Sequence, residues 1–183
     1  MSVTVGFASE ADVERACAIS NAAAATTAAS FATSPEDPRA WIAEWQRTKE
    51  LYPFLVARAA ARGGAVVGFA RATPHRARGA YAWTAEVGVY VDPSMHNARI
   101  GTALYTRLLP LLEAQGYVTL LAGITSPNPA SERLHAAFGF TRCGTYHRAG
   151  WKLGAWHDVG YWERQLQTGD APPRAILKVA DIA

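Results

Sequence analysis

Apolar and polar positions along this chain fall into short runs whose period switches repeatedly between two and about three and a half. "VTVGFA" (Val3 to Ala8) alternates and predicts a strand. "SEADVERACAISNAAAA" follows, with Ser9 placed as N-cap and Asp12 three residues on. That is the geometry of a capping box with Asp in place of Glu or Gln, and it predicts a helix to about Asn21. "TSPEDPRAWIAEWQRTKELYP" predicts a second helical region, opened by prolines and closed before Pro53. "FLVARAA" and "AVVGFARAT" flank "ARGG", a β-hairpin. "AYAWTAEVGVYV" reads as a long, largely buried strand ending at Asp92-Pro93. In "IGTALYTRLLPLLEAQG", Ala103, Leu104, Leu108, Leu111 and Leu112 recur at helical spacing and Gly116 stands as C-cap. Pro110 should kink or split that helix, because proline has no N–H to donate. "YVTLLAGI" is a wholly apolar strand, "NPASERLHAAFG" a helix closed by Gly139, and "FTRCGTYHRAG" and "WHDVGYWERQL" two more strands.

The order is therefore β-α-α-β-β-β-α-β-α-β-β. Hairpins come first and βα crossovers later, which predicts an α/β (mixed α+β) fold, a mixed sheet with helices on its faces. The 183 residues are expected to form a single domain, 1–183, with about 168–183 as an extended tail carrying two prolines and no clear period. Half the residues are hydrophobic and 18% are charged, which argues against disorder. No run reaches the ~20 apolar residues of a membrane span. The start lacks the basic, apolar, small-residue order of an export signal, so a cytoplasmic protein is expected.

The formal charge of +3 is too small to argue for nucleic acid and suits an anionic small ligand. Cys17 and Cys143 match no metal or redox spacing and read as two buried or neutral thiols. The five histidines show no HExxH or paired Cys/His spacing, so no metal is expected.

Four constellations could carry chemistry. The first is "EVGVYVDPSMHNARIGTALYTRLL", a strand, a turn and a helix whose first N–H groups are free, with Arg99 and no carboxylate in "SMHNARIGT". It is either an anion site or an ordinary βα turn. The second is Glu86. Buried in its strand, it would be costly to ionise unless paired, and burial would raise its pKa toward that of a general base; the alternatives are a structural salt bridge or an exposed strand edge. The third is Asn128, Ser131 and His135, which share one helical face, with Asn128 as N-cap. His135 either packs or relays a proton. The fourth is Arg76 and Arg78, two apart and pointing the same way if their segment is extended. They form either a solvated loop or a bidentate clamp for a carboxylate or phosphinate.

The block at 86–109, followed by "NPASERLHAAFGF", resembles the GNAT acetyltransferase superfamily. The later motif holds at Asn128, Leu134, Gly139 and Phe140, with Ser131 where the superfamily has alanine and His135 where it has tyrosine. "WTAE..VYV", "LYTRLLPLLEAQGY", "GITSPNPASERLHAAFGF", "AGWKLGAWHDVGYWE" and the "PPRAIL" tail resemble, more narrowly, the phosphinothricin N-acetyltransferases over nearly the whole chain.

This resemblance implies acetyl-CoA as co-substrate, Glu86 as general base and His135 as a second catalytic group. It implies that Val89, Tyr90 and Val91 pair with the pantetheine arm, and that Asn97, Ala98, Arg99, Ile100, Gly101 and Thr102 wrap the pyrophosphate. Asn128 and Ser131 would lie beside the cofactor. Arg76 and Arg78 would hold the acidic end of a small amine substrate, with Phe31 and Tyr81 near it. A homodimer is implied, with neither nucleic acid nor membrane as partner. Arg99 replaces the first loop glycine, and an outward-pointing side chain with the wrap kept is expected. Ala23 and Ala25 stand where the resemblance leads one to expect Tyr and Glu. Two rivals remain: acetylation of a peptide amine, and a non-catalytic CoA-binding protein.

Overall fold

The computed structural model describes residues 2–95 and 99–182, and its element order matches the order read from the sequence. Seven strands, β1 (Val3–Phe7), β2 (Phe54–Ala59), β3 (Ala65–Pro74), β4 (Thr84–Val91), β5 (Thr119–Ser126), β6 (Thr141–Lys152) and β7 (Ala155–Gln165), form one sheet in the order β1-β2-β3-β4-β5-β7-β6. Every pairing is antiparallel except β4 with β5. The helices are α1 (Glu10–Thr26), α2 (Pro38–Thr48), α3 (Ile100–Gln115) and α4 (Pro129–Ala137).

α1, α2 and α4 begin where the sequence offers a side-chain cap, and α3 ends on a glycine. The Asp12 carboxylate accepts from the Ser9 N–H at 2.8 Å and from the Ser9 hydroxyl at 2.7 Å. Asp37 accepts from Arg39 N–H, with Pro38 at the first helical position. Asn128 accepts from Ser131 N–H at 3.2 Å, and Gly116 closes α3 at φ 102°. α1 runs past the expected Asn21 to Thr26, because the alanines that follow favour helix. Pro110 does not divide α3. It removes one N–H donor, while fully buried Leu108 and Leu112 hold the flanking turns to the sheet.

Two cores sandwich the sheet. On one face Val13, Ala16, Cys17 and Ile19 of α1 and Trp41 of α2 pack on Phe54, Val56, Val66 and Phe69. On the other, Leu104, Tyr105, Leu108, Leu109 and Leu112 of α3 pack on Leu55, Ala57, Val67, Ala70, Ala85, Val87 and Leu120. A bulge reconciles the two faces: Ala57 pairs with Gly68 and Arg58 with Val66, so β3 carries one extra residue. Gly68 therefore lies under α3, where a Cβ would stand 3.0 Å from both Ile100 Cγ2 and the Tyr90 carbonyl. The tail is tied down. Trp83 Nε1 donates to Arg174 O, and buried Gln115 Nε2 donates to Leu51 O and Leu177 O. Cys17 is buried and Cys143 is exposed; partial desolvation and Glu163 push the Cys143 thiol up. Among the described residues no helix is long and apolar enough to cross a membrane, and no three His, Cys, Asp or Glu side chains group to hold a metal.

Candidate active site

β4 and β5 pair only at Thr84–Thr119, Ala85–Leu120 and Glu86–Leu121. Beyond Glu86 they separate, and among the described residues no strand pairs with that edge of Val87–Val91. Backbone N–H and C=O groups on such an edge need a partner. The opening is a cleft of about 1010 Å³. Val89, Tyr90 and Val91 line one wall and Gly123, Ile124 and Thr125 the other, with Ala23 and Thr26 to Ala29 from the end of α1 above. Gly123 was missed in the sequence, though a glycine inside an apolar strand signals a close approach of another group.

The N-terminus of α3 opens onto the same cleft. The first intrahelical bond runs from Ala103 N–H to Arg99 O, so the amides of Ile100, Gly101 and Thr102 have no helical acceptor. Arg99 takes the left-handed conformation at φ 54°, ψ 24°, where glycine would be unstrained, and is an exposed residue of the cleft lining. Gly101 has a packing reason for being glycine. A Cβ there would lie 3.0 Å from Leu134 Cδ2 of α4. Asn97 and Ala98 lie outside the described residues. Free amides, a cation and a glycine-lined slot fit an elongated anionic ligand such as acetyl-CoA.

Glu86 sits where the two strands part. Its side chain is 40% exposed, not buried as the apolar run suggested, because alternation sends Ala85 and Val87 to the α3 core and Glu86 to the opposite face. Burial is therefore not what distinguishes Glu86. In its place is a partner the sequence analysis did not single out: His75 Nδ1 lies 2.7 Å from Glu86 Oε1. Arg76 Nε donates to His75 Nε2 at 3.3 Å, and Tyr81 meets the imidazole edge-on at 5.3 Å. Nothing local marks this cluster, since the hairpin β3–β4 brings His75 across to Glu86. Tyr161 of β7 lies near enough that the Glu86 carboxylate adds to burial in pushing its phenol up.

The Arg76–Arg78 segment is bent, not extended, so spacing alone does not put the two guanidinium groups on one side. Arg76 turns back over the Tyr81 ring at 5.7 Å, and both arginines are exposed. Phe31 lies in the α1–α2 connection against β6, its ring filling the space where a Cβ on Gly150 would be, and 6.3 Å from His157.

His135 is 3% exposed and lines the cleft floor. Its Nδ1–H donates to Ser131 O at 2.8 Å, and its Nε2 accepts from the Tyr105 hydroxyl at 2.9 Å. Burial pushes the imidazole down, against the pull of the Ser131 carbonyl, and holds it neutral. Both nitrogens are occupied, so His135 has no free N–H to offer the cleft.

A profile of the acetyltransferase (GNAT) family matches residues 18–140. The chain is 43% identical over 180 residues to a phosphinothricin N-acetyltransferase of Streptomyces viridochromogenes, covering 98% of this chain and 96% of that one. It is 33% identical to an L-methionine sulfoximine/L-methionine sulfone acetyltransferase of Salmonella typhimurium, over 93% of this chain and 98% of that one. Among solved structures, a GNAT superfamily phosphinothricin acetyltransferase from Sinorhizobium meliloti, in complex with acetyl-CoA, superposes with a TM-score of 0.88 at 30% identity, covering 95% and 94% of the two chains.

Proposed function

The chain belongs to the GNAT acetyltransferase family and is an acetyl-CoA-dependent acyltransferase; from that premise we propose that it acetylates the primary amine of a small amino-acid-like substrate by direct attack, with Glu86 as general base. Relatives named for phosphinothricin and for methionine sulfoximine or sulfone support that substrate class. The observation that carries the mechanism is the half-exposed Glu86 carboxylate at the point where β4 and β5 part.

Acetyl-CoA supplies a thioester carbonyl as electrophile, and the acetyl group passes to nitrogen as the thiolate leaves. Val89, Tyr90 and Val91 hold the extended arm along the free edge of β4, where backbone amides can also meet negative charge building on the carbonyl oxygen. The α3 amides at Ile100, Gly101 and Thr102, with Arg99 and residues Asn97 and Ala98, take the pyrophosphate. Asn128 and Ser131 stand beside it on α4. Glu86 removes the proton that keeps the substrate an unreactive ammonium, directly or through water. Arg76 and Arg78 face the acidic end of the substrate, and Phe31 and Tyr81 border it. His135 shapes the floor, and with its nitrogens engaged the thiolate draws its proton from solvent.

The same reading makes the protein a homodimer. β6 is a 12-residue edge strand, and its hairpin with β7 exposes Tyr146, Trp151, Leu153 and Trp156. A second copy covering that edge removes both liabilities. Free Cys17 and Cys143 suit the reducing cytoplasm.

The test is thiol release from acetyl-CoA with phosphinothricin, methionine sulfoximine, methionine sulfone, uncharged amines and peptides compared at saturating acetyl-CoA. Release with the first three, and a Glu86→Gln variant slowed by roughly 10²–10⁴ with acetyl-CoA affinity kept, is the expected result. Release only with peptides or uncharged amines overturns the substrate class, and release with no amine overturns the transfer reading.

A further inference from the structure

We propose that His75 is a positioning residue for the acetyl transfer: with Arg76 on its Nε2, it donates from Nδ1 and holds Glu86 in one rotamer with Oε1 engaged and Oε2 free for the substrate ammonium. This rests on the reading of Glu86 as base.

Arg76 Nε carries a hydrogen and can only donate, so His75 Nε2, 3.3 Å away, accepts and bears no proton. A neutral imidazole has one N–H, which is then on Nδ1, and Nδ1 is the atom 2.7 Å from Glu86 Oε1. The hydrogen bond therefore runs Arg76 to His75 to Glu86. Tyr81, edge-on at 5.3 Å and 77°, fixes the plane of the ring.

Glu86 needs such a brace. Its side chain is 40% exposed, and a half-exposed glutamate samples several rotamers. A base must lie within hydrogen-bond reach of the proton it takes. Among the described residues, His75 alone hydrogen-bonds the Glu86 carboxylate. His75 itself is sheltered, its side chain 15% exposed, and it stands one residue past Pro74, which pairs with Ala85 next to Glu86. Glu86 thus sits on a paired strand, and His75 follows directly on the end of the neighbouring one, which keeps the two close.

The test is a double-mutant cycle with a rescue. His75→Leu removes the donor and is expected to lower kcat roughly tenfold to a hundredfold, the range of a lost charge-assisted hydrogen bond, with KM for acetyl-CoA and the melting temperature nearly unchanged. His75→Asn places an amide N–H where Nδ1 stood and should restore kcat to within about threefold of wild type. In a Glu86→Gln background, His75→Leu should change kcat by less than about twofold, because there is no longer a carboxylate to place. Nitrogen-15 NMR of histidine-labelled protein, with the His75 signals assigned by their loss in His75→Leu, should show Nδ1 protonated and Nε2 bare.

The outcomes separate cleanly. If Glu86→Gln alone keeps wild-type kcat, the base reading fails and His75 falls with it. If Glu86→Gln is slow but His75→Leu is not, Glu86 stands as base and the positioning role is overturned. Equal losses in the Leu and Asn variants, additive losses in the cycle, or an Nε2–H tautomer overturn it as well. If His75→Leu does not fold, the Asn variant and the NMR tautomer decide the same question.

Discussion

At the scale of single residues, what surrounds the candidate site is set by where side chains are missing as much as by where they stand. Gly150 is the sharpest case. Its absent Cβ is replaced by the Phe31 ring, three of whose carbons lie 2.6–2.8 Å from the position that Cβ would take. Gly150→Ala must push the ring away. Phe31 is half-exposed and has somewhere to go, so the stability loss should stay below the ~1–3 kcal/mol typical of overpacking. The KM for the amine should rise severalfold while the KM for acetyl-CoA holds, in steady-state kinetics with each substrate varied. Equal changes in both would put Phe31 outside the substrate pocket. Ala23 and Ala25, read together in the sequence, part company in the fold: Ala23 lines the main cleft, and Ala25 faces a separate pocket beside Trp151 and Lys152.

At the scale of elements, the caps tie helices to strands. Asp12 ends the first turn of α1 and also meets Arg58 of β2 at 2.6 Å. Burial works against its charge, but the Ser9 N–H, the Ser9 hydroxyl and Arg58 together outweigh it and hold the carboxyl below its ordinary value. A carboxyl with a lowered folded-state pKa stabilises the fold above its unfolded value and loses that contribution as pH falls through the folded one. Asp12→Asn should therefore lower stability by about 1 kcal/mol at pH 7, the size of a lost cap. The deficit should stay level down to about pH 5 and shrink below about pH 4, around and under the reference Asp value. Denaturant titrations of both proteins across that range check it. A constant deficit at pH 3 would assign the loss to packing.

At the scale of the whole molecule, the sheet decides both the site and the surface. Because β4 and β5 are parallel and pair over three residues, the sheet opens into a cleft in its middle and leaves β6 at its edge. Trp151 is 57% exposed and packs edge-on against Trp156 at 5.5 Å on that edge hairpin. Trp151→Glu should turn a dimer into a monomer in sedimentation velocity without unfolding it, since the ring lies outside both cores. A wild-type monomer would overturn the homodimer, and a variant that still dimerises would place the interface elsewhere.

The sequence by itself determined the order of strands and α-helices, the caps at Ser9, Asn128 and Gly116, and a strand–turn–helix whose first helical N–H groups lack a helical acceptor. Those features are legible because each depends on residues within a few positions of one another, through period, capping and turn chemistry. Only the tertiary structure decided that Glu86 is half-exposed and braced by His75, that both nitrogens of His135 are spoken for, and that Gly101 serves the approach of α4. Those facts depend on which strand pairs with which, where the pairing stops and which face the β3 bulge selects. Such long-range choices are made by burial of the whole sheet between two helical layers, and no local stretch of the chain carries them.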